Sequence, residues 1–61
     1  MWYQSAKQTY YIDHEETVWE VFPDGTVKDT TLSASAVRRV YRRIDAPNWP
    51  TTLQILRQIN G

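Results

Sequence analysis

Between Gln8 and Asp29 apolar and polar residues alternate around one sharp break, Phe22-Pro23-Asp24-Gly25-Thr26. Pro presets the first turn position and Gly accepts a left-handed backbone, so the break predicts a hairpin with a three-residue loop that pairs Phe22 with Thr26. Carried outward, that register pairs Val21 with Val27, Glu20 with Lys28 and Trp19 with Asp29. Upstream, Gln8 to Ile12 predicts a strand, and a loop at Asp13-His14-Glu15-Glu16 pairs Ile12 with Thr17, Tyr11 with Val18 and Tyr10 with Trp19. On this reading Tyr10, Ile12, Trp19, Val21 and Val27 share the core face. Tyr11, Val18 and Phe22 point away from it, beside Thr9, Glu20 and Lys28.

From Ser33 the spacing changes from two to helical. Val37, Val40, Tyr41 and Ile44 recur at i, i+3, i+4 and i+7, and Arg38, Arg39, Arg42 and Arg43 fill the positions between them. This predicts a helix over 33–45, capped by Ser33 and stopped ahead of Pro47, with one apolar stripe and one four-arginine face. The stripe is expected to cover Trp19. A second short helix is expected from Trp49-Pro50 to Asn60-Gly61, carrying Leu53, Ile55, Leu56 and Ile59. The predicted fold is α+β: a three-stranded antiparallel meander packed by one amphipathic helix and followed by a second, in the order βββαα, as a single domain over 1–61.

Sixty-one residues are near the lower size at which a chain folds without staples, and no Cys is present to supply disulfides or thiolate ligands. Seven basic residues balance seven acidic ones, so any affinity for nucleic acid must come from a local patch. No apolar run approaches a membrane span and the first residues lack a signal-peptide pattern, which makes the cytoplasm the expected location and a membrane partner unexpected.

The arginine face is the strongest chemical feature. Arg38 with Arg42, and Arg39 with Arg43, would stack like charges one turn apart, an arrangement relieved by an anionic partner. Guanidinium forks suit carboxylates and phosphates alike. The expectation is therefore a non-enzymatic adaptor or regulator that binds an acidic protein surface through Arg38, Arg39, Arg42 and Arg43. The alternative is a DNA- or RNA-binding regulator that uses the same arginines and a helix-turn-helix-like C-terminal pair. A plain solvated helix face competes with both. Three strands backed by a helix are also similar in element order to integrase arm-binding and plant AP2-type domains, which implies DNA reading by the sheet. Here Asp13, Glu15, Glu16, Glu20, Asp24 and Asp29 face only Lys7 and Lys28 in that region, so its hairpins would repel phosphate.

Tyr11, Val18 and Phe22 are a second candidate surface, for a partner or a homodimer, unless the chain's own termini cover them. Asp13-His14-Glu15-Glu16 concentrates potential metal ligands in one loop, but consecutive loop residues diverge, and the segment reads as a polar turn with no metal. With one His, no Cys and no Gly-rich phosphate loop, neither catalysis nor a cofactor is expected.

Overall fold

The computed structural model describes all residues, Met1–Gly61. Its elements are β1 (Trp2–Ser5), β2 (Gln8–Ile12), β3 (Val18–Val21), β4 (Val27–Asp29), α1 (Ala34–Val40), β5 (Arg42–Ile44) and α2 (Thr52–Asn60). The strands form one antiparallel sheet in the order β4-β3-β2-β1-β5, so the expected meander is widened on one side to five strands. The fold is α+β, as expected. The two unforeseen strands are the N-terminal segment, which the sequence reading weighed only as one alternative cover for Tyr11, Val18 and Phe22, and a piece of the predicted arginine helix. No helix is long and apolar enough to cross a membrane.

Each sheet face carries its own core. On one side Tyr3, Tyr10, Ile12 and Val18 pack with Ala34 and Val37 of α1, and Tyr41 leans on the cluster. On the other side Trp2, Val21 and Ile55 are joined by Tyr11, Trp19, Val27, Ile44, Trp49, Leu56 and Ile59, beneath α2. The helices therefore lie on opposite faces with β5 between them, which removes the helix-turn-helix-like pair. The buried face of α2 is built on Ile55, with Leu56 and Ile59 beside it, whereas Leu53 is 67% exposed, contrary to the expected stripe.

The β3–β4 register is the expected one, Val21↔Val27, Glu20↔Lys28 and Trp19↔Asp29. Phe22 N–H donates to Thr26 O at 3.0 Å, and Gly25 takes φ +94°. The β2–β3 register is shifted by one residue: Ile12 pairs with Val18, Tyr11 with Trp19 and Tyr10 with Glu20. Since strand side chains alternate, this shift moves Trp19 to the face opposite Tyr10 and away from α1. Trp19 consequently packs on the α2 side, and Val18, expected to face outward, is buried beneath α1.

The cause of the shift is the turn. Asp13 N–H donates to Thr17 O (3.1 Å), Glu16 N–H donates to Asp13 O (3.1 Å), and Glu16 adopts φ +67°. The loop is thus three residues long, like the one at Pro23-Asp24-Gly25, but with Glu16 in the left-handed position that Gly25 fills in the other.

The predicted helix over 33–45 also divides. Ser33 caps it as expected, its Oγ accepting from Ala36 N–H at 3.2 Å, but helical structure ends at Val40 and Tyr41 is extended at φ −100°, ψ +155°. Arg42–Ile44 then pairs with β1, Trp2↔Ile44, Tyr3↔Arg43 and Gln4↔Arg42. Val40-Tyr41-Arg42-Arg43-Ile44 suits a strand as well as a helix, because β-branched and aromatic residues are poor helix formers. Pairing decides between them: β5 supplies partners to the backbone of β1 and brings Ile44 into the α2-side core.

Candidate functional site

The four arginines do not share a helix face. Arg38 and Arg39 occupy the last turn of α1, and Arg42 and Arg43 lie on β5, where alternation directs them to opposite faces of the sheet. Arg38 is engaged internally: its two terminal nitrogens donate to the two oxygens of Glu16, each at 2.6 Å, in a bidentate fork. This is the molecule's single ion pair. It holds the Glu16 carboxyl below its ordinary range and raises Arg38 above its own. The pair clasps α1 to the β2–β3 turn, so Arg38 is better described as structural.

The other three have no carboxylate partner. Arg42 donates to Gln4 Oε1 at 3.1 Å, the Arg43 guanidinium lies 3.7 Å from Met1 Sδ, and Arg39 is exposed. Arg42 and Arg43 lie on β5, an edge strand whose outer side meets no other strand, and Arg39 lies ahead of it in the last turn of α1. No loop or turn backbone hydrogen bond reaches Arg42–Ile44 either. Val40, two residues ahead of β5, is 67% exposed, and Met1 beside Arg43 is 46% exposed. The chain leaves β5 through Asp45 and Pro47, and an open depression lined by Arg42, Arg43, Ile44 and Asp45 follows the strand. This edge therefore combines free backbone groups, unpaired guanidinium charge and some apolar surface.

Tyr11, Val18 and Phe22 do not form a patch. Val18 is 3% exposed in the α1-side core, and Tyr11 packs edge-on against Trp2 on the other side at 4.8 Å. Phe22 is half-buried, with the Lys28 ammonium 5.3 Å above its ring. The one-residue register shift separates them, and α2 together with Trp2 covers the face on which Tyr11 lies.

Asp13 has a role the sequence reading missed. Its Oδ1 accepts from Glu15 N–H and Thr17 N–H, both at 2.9 Å, and its Oδ2 accepts from the Trp19 indole at 3.0 Å. The indole hydrogen bond, with help from the two amides, holds this buried carboxyl below its ordinary range despite the opposing effect of desolvation. An Asp at the head of a loop is a known signal for this arrangement, since its side chain mimics a backbone turn two residues on. The strand Trp2–Ser5 was missed because its two aromatic residues are adjacent and its two polar residues follow, a pattern without alternation.

Comparison with protein-family models, with curated proteins and with solved structures finds no match.

Proposed function

We propose that the protein is a small binding module that captures an extended acidic segment of a partner protein along the open edge of β5. The observation that carries this reading is that Arg42 and Arg43, neither paired with a carboxylate, sit on an edge strand with no outer neighbour. Strand addition uses the free backbone groups for affinity and the flanking side chains for specificity. Arg42 and Arg43 lie on opposite faces, and so do consecutive side chains of an added strand. The matching ligand is therefore one with two adjacent acidic residues, one for each guanidinium. A nucleic-acid backbone fits less well, because arginines on opposite faces of the sheet do not line a single phosphate track.

The test is a titration of the labelled protein with a capped eight-residue peptide that carries Val at its ends and Glu-Glu at its centre, followed by amide NMR. Saturable shifts centred on Val40–Asp45 are expected. Arg42→Gln with Arg43→Gln should leave the fold intact and weaken binding by about tenfold or more, the scale of two lost charge-assisted contacts. Unchanged affinity in the folded double variant, or shifts confined to another surface, overturns the proposal. Preferential binding of an oligothymidylate with a steep salt dependence moves the assignment to nucleic acid.

A further inference from the structure

On the α1 side of the sheet, a groove of about 500 Å³ is lined by Tyr10, Glu20, Asp29, Thr30, Thr31, Leu32 and Tyr41. It arises because α1 is too short to cover its face. The helix packs over Ile12, Val18 and Tyr3, while the chain from Asp29 to Leu32 walls off the remaining floor. The rings of Tyr10 and Tyr41 stack at 5.3 Å with 23° between their planes and form one side. Leu32, 37% exposed, adds apolar surface. No basic residue contributes to the lining.

Glu20 is half-buried here and its side chain makes no hydrogen bond or ion pair. Its cross-strand neighbour Lys28 is the expected partner, yet the Lys28 ammonium sits over the Phe22 ring instead. A carboxylate is thus held beside two aromatic rings, unneutralised by the chain's own cations. Burial, then the neighbouring Tyr41, then the Glu20 charge push the Tyr10 hydroxyl above its ordinary titration range.

We propose that this groove binds a guanidinium group, with the planar cation against the Tyr10–Tyr41 pair and its donor fork on the Glu20 carboxylate. Guanidinium is favoured over a simple ammonium because it both stacks on an aromatic face and presents paired donors to a carboxylate. The groove's volume admits an arginine-sized ligand. This site has the opposite charge preference to the β5 edge, and its carboxylate lies on β3, three strands away; Tyr41, next to Arg42 in the chain, is common to both readouts, so Glu20 and Leu32 distinguish this site from Arg42 and Arg43.

The guanidinium can belong to a free small molecule or to an arginine of a polypeptide, so the experiment uses both. Agmatine and a capped Gly-Gly-Arg-Gly-Gly peptide are titrated separately while Tyr10, Glu20, Leu32 and Tyr41 are followed by NMR, with butylamine as the ammonium control. Saturable shifts at these residues, stronger for guanidinium than for butylamine, are expected. A peptide about tenfold tighter than agmatine assigns the site to a protein ligand, and equal affinities assign it to a free guanidinium compound; the difference corresponds to about 1.4 kcal/mol. Glu20→Gln should preserve the fold, since the Glu20 side chain makes no hydrogen bond or ion pair, and weaken binding about tenfold. Absence of saturable shifts, equal response to butylamine, or full affinity in Glu20→Gln overturns the proposal. None of these results bears on the acidic peptide, whose contacts lie on Arg42 and Arg43.

Discussion

Asp13 illustrates how one side chain sets the register of a whole strand pair. By accepting from Glu15, Thr17 and Trp19 it fixes a three-residue loop, and the loop fixes Ile12 opposite Val18. Asp13→Asn keeps an acceptor for the two amides but turns an NH2 group toward the indole N–H, which is itself a donor. A loss of about 1–3 kcal/mol is expected, as for a hydrogen-bonded donor left without its acceptor. The pH dependence follows from the direction of the shift. A carboxyl that titrates lower in the folded state contributes stability that is fully present above its unfolded value and is lost as pH falls through the folded one. Glu16, held by Arg38, and Asp24, held by Thr26, act in the same direction. Urea unfolding at pH 5 and at pH 3 should therefore show a steep acid loss in the native protein and a shallower one in Asp13→Asn. A second residue-scale feature is Ala6, which takes φ +49° in the tight turn between β1 and β2. Ala6→Gly removes the steric cost of that backbone and raises the entropy of the unfolded chain. Relief of strain is the larger effect, and a gain of up to about 1 kcal/mol is expected, read as a higher melting temperature.

At the scale of elements, the two hairpins that flank β3 use the same loop geometry, yet only one was legible. Pro23 and Gly25 announce their conformations by chemistry that no other residue shares. Glu16 carries no such mark, and its left-handed backbone is held by Asp13 within the turn and by Arg38 from α1. The end of α1 and the start of β5 were hidden for a related reason. Val40 to Ile44 fits both the helical and the extended pattern, and the choice falls to a strand, β1, forty residues away in sequence. The Ser33 cap, the β3–β4 pairing and the presence of α2 were readable because each depends on neighbours within a few residues. The arginines were correctly singled out as charge but wrongly gathered onto one face, since their geometry depended on that same division of the helix. The β3–β4 turn also docks on α2: Thr51 Oγ1 donates to Pro23 O at 2.7 Å and Gln58 Nε2 to Gly25 O at 3.1 Å. A Cβ added at Gly25 would lie 3.2 Å from Gln54 Nε2, the tip of a flexible side chain, so space is the smaller obstacle and φ +94° the larger. Gly25→Ala should cost about 1–2 kcal/mol in urea unfolding, a loss opposite in sign to the effect of Ala6→Gly.

For the molecule as a whole, two small cores share one sheet. Ile55 and Val37, at 0% and 1% exposure, are the most deeply buried side chains, one on each face. Ile55→Ala should cost about 2–5 kcal/mol and Val37→Ala about 2 kcal/mol, large against the few kcal/mol that a domain of this size retains. Because the strands belong to both cores, each variant should lower the midpoint of a single transition that is the same by far-UV circular dichroism and by near-UV absorbance. A variant that splits the transition in two would show that the layers fold separately. The cores differ in one further respect, their aromatic content. Trp2, Trp19 and Trp49 all lie on the α2 side, with Tyr11 among them, while the other three tyrosines, Tyr3, Tyr10 and Tyr41, lie on the α1 side. The two layers are thereby optically distinct. Indole emission reports on α2 and its footing, and fraying of α1 away from the sheet should leave it almost unchanged. Phenol absorbance carries the complementary signal, chiefly from the Tyr10–Tyr41 stack at the C-terminal end of the helix. A local opening of α1, with its Arg38–Glu16 clasp released, is therefore a motion that reaches tryptophan only through the Asp13–Trp19 hydrogen bond in the clasped turn, and for which the Tyr10–Tyr41 stack is the direct built-in probe.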